Sequence, residues 1–186
     1  MSSVIPPVLS HRDMPIAELS ALRLDGEVFA LGAGVVGADE PVTAHHRAAA
    51  LGLRLPGKLV PERDSALWVH GFLAVEPSVP TVAMTRTDRT YAMNMQGLAV
   101  RETSLLPEEC AELGGILVAS LWRTLYDLAF QPEPISGLID DAMRDAAHAR
   151  PRALAAALGR VALDARNPGS RTAAARLRAL EREACT

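Results

Sequence analysis

The segment SLWRTLYDLAF, residues 120–130, decides the fold, because it places two opposite charges inside an apolar helix. Ser120 is a favourable first residue for a helix that runs to the end of this segment. Arg123 and Asp127 are four residues apart, so their side chains share one face and can pair across a turn. Large apolar side chains surround them at positions 122, 125, 126 and 128. We therefore predict a partly buried ion pair that specifies the fold, with a ligand site as the alternative.

A second segment, ERDSALWVHGF (residues 62–72), also predicts a helix, and it contains a serine and a histidine. Ala66 and Val69 lie on one apolar face of this helix. Ser65 and His70 are five residues apart and point in different directions, so the helix does not bring a nucleophile to its base. Gly71 marks the end of the helix, where an imidazole is favoured. We interpret His70 as a capping or core-edge histidine, with a catalytic role as the alternative.

On the N-terminal side, MPIAELSALRLDGEVFALGAGVVGADEP predicts a helix followed by a β-hairpin. The helix begins near Pro15, carries an apolar stripe at positions 16, 19, 22 and 24, and ends at Gly26. Two short apolar runs joined by the glycines at 32 and 34 form the hairpin. A helix that leads into a hairpin is typical of the end of a winged helix-turn-helix unit. The next segment, PVTAHHRAAALGLRL, predicts a helix with Thr43 as its N-cap.

On the C-terminal side, TVAMT and LAVRET predict two strands around a polar turn at Asp88. LLPEECAELGG predicts a short helix that begins near Pro107, and ILVAS predicts a buried strand. Beyond Pro134 the chain predicts three helices. These elements predict an α+β fold with a reduced winged-helix-like N-terminus, a small central β-sheet packed by helices and a helical C-terminus. The corresponding division is 1–40, 41–131 and an Arg-rich region at 132–186.

The composition predicts a cytoplasmic domain with an ordinary core. Of 186 residues 49% are hydrophobic and 22% are charged, and the two cysteines, Cys110 and Cys185, lie too far apart for a disulfide framework or a zinc spacing. Neither a signal peptide nor a membrane span is expected. Residues 1–143 carry 10 basic and 18 acidic side chains, whereas residues 144–186 carry 9 and 4. The acidic body would repel a phosphate backbone, and the basic C-terminal region would attract one.

No motif in the sequence predicts an enzyme or a cofactor. His45 and His46 diverge by about 100° on a helix, so this segment cannot direct both to one metal ion, and Asp140 with Asp141 fails in the same way. There is no phosphate-binding loop, dinucleotide fingerprint or His-Glu-x-x-His motif. We therefore expect no catalytic residues, no metal and no cofactor. A nuclease-like enzyme remains an alternative, in which Asp140, Asp141 or Asp145 would be essential.

Three segments together carry a resemblance to a known family. RAAALGLRLPGKLVPERDSALWVHGF, GILVASLWRTLYDLA and ELSALRLDGEVFALGAGVV resemble, in content and spacing, the AbiEi-type antitoxin and transcriptional-regulator family, which is abundant in actinobacteria. The resemblance covers residues 15–130. It implies a winged helix, shortened here, that binds operator DNA, and a following α/β domain concerned with antitoxicity. It also implies a nucleotidyltransferase-like toxin as partner. The matching motif residues are Ala66, His70, Gly71, Arg123, Thr124 and Asp127.

Two surfaces compete as candidate DNA contacts. The family resemblance indicates that DNA binds the predicted helix and hairpin around Arg23, together with His11 and Arg12 before them. The density of positive charge indicates the C-terminal arginines instead. Of these, Arg171, Arg178 and Arg182 share a helix face at spacings of seven and four. We predict that sequence-specific binding depends on the first surface and non-specific binding on the second. A protein-interaction module that has lost DNA binding is the alternative. The oligomeric state is left open.

Overall fold

A computed structural model describes residues 6–56, 58–84, 95–132 and 136–184 and confirms the α+β class. These residues form seven α-helices and seven short strands. In chain order they are α1 (Ile16–Leu24), β1 (Val28–Leu31), β2 (Gly34–Gly37), α2 (Ala44–Gly52), β3 (Val60–Pro61), α3 (Arg63–Val69), β4 (Thr81–Met84), β5 (Ala99–Glu102), β6 (Cys110–Leu113), β7 (Ile116–Ala119), α4 (Leu121–Ala129), α5 (Gly137–Ala149), α6 (Pro151–Leu163) and α7 (Ser170–Ala184).

The N-terminal helix and hairpin are present where the sequence predicts them. Helix α1 follows Pro15 and ends before Gly26, whose φ of +74° is the left-handed conformation that glycine adopts easily. Strands β1 and β2 then pair as an antiparallel hairpin. The predicted apolar stripe of α1 packs only in part, however: Leu19 and Leu22 are half-buried, whereas Ile16 and Leu24 are 70% and 89% exposed. No residue of α1 is fully buried.

A three-stranded sheet lies at the centre of the chain, with the order β3-β4-β5. Strand β3 pairs antiparallel with β4, and β5 pairs with β4 in parallel, with Thr81 opposite Ala99. A parallel pair needs a crossover connection rather than a tight turn. The two strands predicted from TVAMT and LAVRET are thus present as β4 and β5. The turn predicted at Asp88 lies outside the described residues.

The segment LLPEECAELGG forms a strand rather than the predicted helix. Only residues Pro107–Glu109 make a single 3-10 turn, after which β6 and β7 form a second antiparallel hairpin. Its turn is Gly114-Gly115, and both glycines have positive φ. At Gly114 a Cβ atom would lie 2.3 Å from the carbonyl oxygen of His45 in α2, so only glycine fits this contact. The two glycines terminate a strand here because the chain must turn back against α2.

The apolar side chains form two adjacent cores. The first joins α2, α3, β2 and β7 around Trp68, and the second joins α3 to α4, α5, α6 and α7 around Met143. Helix α4 is buried from Arg123 to Ala129. The three predicted C-terminal helices are present, and α7 packs through Ala173, Leu177 and Leu180. The three-part division of the chain stays a prediction. Among the described residues, no helix is long and apolar enough to cross a membrane.

Candidate functional site

Five charged side chains, two of them on α4, form a cluster on the buried side of that helix. We call it the charge cluster; its members are Glu62, Arg101, Glu109, Arg123 and Asp127. The predicted pair is present, with Arg123 Nε 2.8 Å from Asp127 Oδ2. Arg123 Nη1 also lies 2.5 Å from Glu109 Oε2, and Arg101 Nη2 lies 2.6 Å from Glu62 Oε2 and 3.1 Å from Asp127 Oδ1. The five side chains form one continuous chain of ion pairs.

Four separate segments bring these side chains together. Glu62 precedes α3, Arg101 lies in β5, Glu109 ends the 3-10 turn, and Arg123 and Asp127 lie on α4. Glu62 is fully buried, and Glu109, Arg123 and Asp127 are each less than a tenth exposed. Buried charges are tolerated when they are paired and hydrogen-bonded. The charge cluster therefore fixes β5, α3 and the 3-10 turn relative to α4.

Electrostatics keeps both arginines of the charge cluster protonated. Burial by itself lowers the pKa of Arg101, but hydrogen bonds to Glu62 and the charge of Asp127 outweigh it and raise that pKa. The same balance of burial against Asp127 and Glu109 raises the pKa of Arg123. A permanently charged, doubly paired guanidinium holds its carboxylates in a fixed geometry. This arrangement is that of a structural network.

Arg63 adds an unusual backbone conformation beside the charge cluster. Its φ is +51°, and it is the one non-glycine residue with positive φ in the described part of the chain. Its Nε lies 3.9 Å from Glu62 Oε1 and makes no hydrogen bond. A non-glycine residue in this region costs on the order of 1–3 kcal/mol and persists only where its surroundings impose it.

The serine and the histidine of α3 are each committed to the backbone. Ser65 Oγ accepts a hydrogen bond from the Thr81 amide at 2.8 Å, and His70 Nε2 donates to the Ala119 carbonyl at 2.9 Å. Burial lowers the pKa of His70, opposed in part by that hydrogen bond, so the imidazole is neutral at neutral pH. Gly71 follows with a φ of +90°, and α3 ends there. The predicted core-edge placement of His70 is what the structure shows.

The two remaining motif residues are buried and structural in their contacts. Ala66 is fully buried where α3 packs in the first core. Thr124 Oγ1 donates to the Ser120 carbonyl at 2.9 Å, one turn earlier in α4. Ser120 occupies the predicted N-cap position, but its side chain makes no capping hydrogen bond. The motif residues thus hold α3 and α4 in place.

Two arginines that the sequence analysis missed cap helix ends. Arg47 donates to the carbonyls of Trp68 and Leu73 at 3.0 and 2.7 Å, and its guanidinium lies 5.5 Å from the Trp68 ring. Arg176 donates to the carbonyls of Leu128, Ala129 and Gln131 at the end of α4. A helix C-terminus leaves carbonyl groups unpaired, and a guanidinium satisfies several at once. No local pattern predicts contacts between residues more than twenty positions apart.

The N-terminal DNA candidates divide between two grooves. His11 and Arg23 line a groove of about 300 Å³ between α1 and the β1–β2 hairpin, together with Ser20. Arg12 lines a different cleft, of about 680 Å³, which also contains Asp13 and Glu112. The structure therefore brings His11 and Arg23 together and separates Arg12 from them.

The C-terminal candidates lie on the exposed side of α7. Arg171 and Arg178 line a groove of about 510 Å³ between α6 and α7, and Arg182 is exposed one turn further on. Arg176 lies off this line, as its spacing predicts, because it reaches the end of α4.

The residues considered for metal binding contact other protein groups. His46 completes a capping box with Thr43, and His45 Nδ1 accepts a hydrogen bond from the Gly114 amide at 3.3 Å. Asp140 and Asp141 both pair with Arg144. Within the described residues, no group of three or more His, Cys, Asp or Glu side chains is arranged to hold a metal ion.

Comparison of the chain with protein-family models and with curated proteins finds no match.

Proposed function

We propose that the protein is a non-enzymatic, antitoxin-like regulator that binds DNA through α1 and the β1–β2 hairpin, in the cytoplasm and without a cofactor. The observation that carries the proposal is the exposure of α1. None of its nine residues is buried, whereas each of the other six α-helices in the described residues contributes buried side chains. A nine-residue helix is marginal in water on its own. A helix without a fully buried residue leaves most of its surface available for contact with a ligand outside the fold.

The groove beside α1 has the chemistry that a DNA contact requires. Arg23 lies in the last turn of α1, and His11 and Ser20 line the same groove. No acidic side chain is among the described residues that line it. Arginine binds phosphates and guanine edges, and serine hydroxyls bind phosphate oxygens. This chemistry, the order of helix and hairpin, and the AbiEi-type resemblance support operator DNA as the ligand.

A second candidate is a protein-interaction module, and a specific observation favours it. The exposed side chains of α1 include Ile16 and Leu24, which are apolar. Glu18, Asp25 and the following Glu27 give this region an acidic balance that disfavours DNA. An apolar, acidic helix suits a groove on a protein partner. The resemblance suggests a nucleotidyltransferase-like toxin as that partner.

The nuclease-like alternative has less support. Asp140 and Asp141 pair with Arg144, which also lies 2.7 Å from Glu183 of α7. These contacts join α5 to α7 and hold both carboxylates against one guanidinium. Metal-dependent nuclease sites need carboxylates directed at a metal and a phosphate. The pairing favours a binding protein over an enzyme.

The experiment measures binding to DNA from the region upstream of the coding sequence. Fluorescence anisotropy at physiological salt compares this DNA with a scrambled duplex of equal length. We expect wild type to prefer the native duplex, Arg23→Ala to lose the preference, and Arg166→Ala, an exposed arginine without an ion pair in the described part of the chain, to keep it. Absence of any preference in wild type would contradict the DNA proposal.

A further variant, Ile16→Ser, tests the second candidate. The neighbouring toxin-like protein, if encoded beside this gene, is co-purified with wild type and with Ile16→Ser. Weakened association of Ile16→Ser, together with no DNA preference in wild type, supports the protein-interaction module. Equal association of both proteins would contradict a role of α1 in that contact.

A further inference from the structure

A cleft of about 590 Å³ lies where the central elements meet the C-terminal helices. It opens between the start of α2, the end of α3, the start of α4 and the junction of α5 with α6. Its size is that of a small-molecule site, which in proteins measures roughly 300–1,000 Å³. The lining residues are Ala44, His70, Phe72, Leu121, Ala149, Arg150, Pro151, Arg152 and Ala153.

The charge of this cleft is one-sided. Arg150 and Arg152 both line it, and no acidic side chain is among the described lining residues. The described contact of the Arg150 guanidinium is a hydrogen bond to the neighbouring Ala149 carbonyl at 3.1 Å. Neither arginine pairs with an acid in the described part of the chain. Two guanidinium groups without a carboxylate attract an oxyanion, which each can bind with two parallel hydrogen bonds.

The remaining walls of the cleft are apolar. Phe72, Leu121 and Pro151 line it, and His70 is fixed there by its hydrogen bond to the Ala119 carbonyl. Because burial lowers the pKa of His70, its ring is neutral at neutral pH and adds a weakly polar wall. Ligand sites in proteins combine predominantly apolar walls with a few placed polar groups. The cleft has this composition.

The start of α4 reinforces the positive side of the cleft. Leu121 is the first residue of α4, and this helix has no side-chain cap. Uncapped first-turn amides carry partial positive charge. The start of α6 adds less, because Pro151 has no amide hydrogen and the Ala153 amide donates to the Arg150 carbonyl at 2.9 Å.

We propose that this cleft binds a small organic anion that carries one oxyanion group on an aromatic or aliphatic body. The oxyanion accepts hydrogen bonds from Arg150 and Arg152, and the apolar body contacts Phe72 and Leu121. This site is separate from the α1 groove and does not depend on the function proposed there.

The α6–α7 groove of about 510 Å³ also has two arginines and no acid among its described lining residues, so the control variant below distinguishes it from this cleft. Another cleft of similar size does not have these properties. The cleft of about 680 Å³ contains Arg12, but Asp13 and Glu112 line it as well. Its opposite charges neutralise each other, so it offers no net attraction to an anion.

The test uses two fluorescent probes that share one aromatic body. Anilinonaphthalene sulfonate carries an oxyanion, and N-phenylnaphthylamine lacks it. We compare wild type with Arg150→Gln/Arg152→Gln and with the matched control Arg171→Gln/Arg178→Gln, whose arginines line the α6–α7 groove instead. Circular dichroism melts establish that the variants fold, as expected for substitutions of exposed side chains.

We expect saturable binding of the sulfonate at one site on wild type. The Arg150→Gln/Arg152→Gln variant should bind it about tenfold more weakly or worse, because two charged hydrogen-bond donors are lost. Binding of the neutral probe should change little, and the control variant should bind both probes like wild type. No saturable sulfonate binding, an unchanged affinity in the Arg150→Gln/Arg152→Gln variant, or an equal loss in the control variant would overturn the proposal.

A steric variant keeps the test decisive without changing any charge. Ala149 is exposed and lines the cleft, so Ala149→Trp should fill it and weaken binding of both probes. If Ala149→Trp binds the sulfonate as wild type does, the probe lies elsewhere and the assignment of the cleft is wrong.

Discussion

Substituting Arg123 by alanine should destabilise the fold strongly, because the guanidinium pairs with two buried carboxylates. Arg123 lies 2.8 and 3.3 Å from the two oxygens of Asp127 and 2.5 Å from Glu109. In the variant Asp127 keeps Arg101 at 3.1 Å, whereas Glu109 keeps the Leu106 amide at 2.9 Å and no arginine among the described residues. Removing one partner of a buried ion pair costs about 3–5 kcal/mol. For a chain of this length that loss corresponds to roughly 6–20 °C in melting temperature.

The chain provides a matched control for this prediction. Arg144 pairs with three carboxylates, those of Asp140, Asp141 and Glu183, but it is on the surface. Exposed ion pairs contribute little because water and salt screen them. Thermal melts followed by circular dichroism should therefore show a large decrease for Arg123→Ala and a small one for Arg144→Ala.

A double substitution separates the loss of the pair from the loss of the side chain. Glu109→Gln removes the carboxylate that Arg123→Ala leaves unpaired, so the double variant should be more stable than the sum of the two single losses implies. We expect a coupling energy of about 0.5–3 kcal/mol. An Arg123→Ala melt that matches wild type, or strictly additive losses, would refute the stabilising role of the charge cluster and return Arg123 to the functional candidates.

Three further predictions concern contacts that hold the central elements together. His70→Gln should reduce the loss of stability on acidification, because burial lowers the folded-state pKa of His70 below its ordinary value of 6.5. In wild type, protons therefore bind preferentially to the unfolded chain as the pH falls below that value. Urea unfolding at neutral and acidic pH measures this loss, and an equal loss in both proteins would contradict the prediction. Gly114→Ala should lower the free energy of unfolding by about 2–5 kcal/mol, because the backbone is left-handed there and the new Cβ clashes with α2. Gly115→Ala should lower it by about 1–2 kcal/mol, because Gly115 has positive φ but no neighbour within 4 Å. Equal losses in urea unfolding would disprove the clash. Arg176→Ala should lower stability by about 1.5–3 kcal/mol, because it removes the hydrogen bonds that cap the end of α4. Arg178 is exposed, so Arg178→Ala should change stability by less than about 0.5 kcal/mol. Equal melting temperatures of the two variants would exclude the capping role.

Features that depend on neighbouring residues could be predicted from the sequence. The pairing of Arg123 with Asp127 follows from a spacing of four on one helix, and the capping of α2 by Thr43 follows from the residue type that precedes the helix. The end of α1 at Gly26 and the hairpin after it follow from glycine positions. In each case the signal and the structure it specifies lie within a few residues.

Features that depend on distant segments could not be predicted. Glu62 and Arg101 join the charge cluster across 39 residues, and no periodicity marks them. Pro107 predicts the start of a helix, but the Glu109 carboxylate two residues later pairs with Arg123 and the chain continues as a strand. Ile16 shares the apolar stripe of α1 with Leu19 and Leu22, yet it is 70% exposed while those two are half-buried. Tertiary contacts decide all three outcomes.

The basic C-terminal region illustrates why charge alone does not locate a binding site. The sequence suggests a separable Arg-rich segment, but α7 buries Leu177 and Leu180 in the second core. Deleting it would expose this core, so its charge has to be removed by substitution. Arg171, Arg178 and Arg182 lie on the exposed side and can be changed together.

The measurement that tests the α1 proposal most directly is a salt-titrated DNA-binding series. It compares wild type with Arg23→Ala and with a triple variant in which alanine replaces Arg171, Arg178 and Arg182, on native and scrambled upstream duplexes. We predict that Arg23→Ala abolishes the preference for the native duplex. The triple variant should keep that preference and lower the salt dependence of binding by about 0.9 per lost phosphate contact. If the triple variant loses the preference while Arg23→Ala retains it, α1 is not the element that recognises DNA.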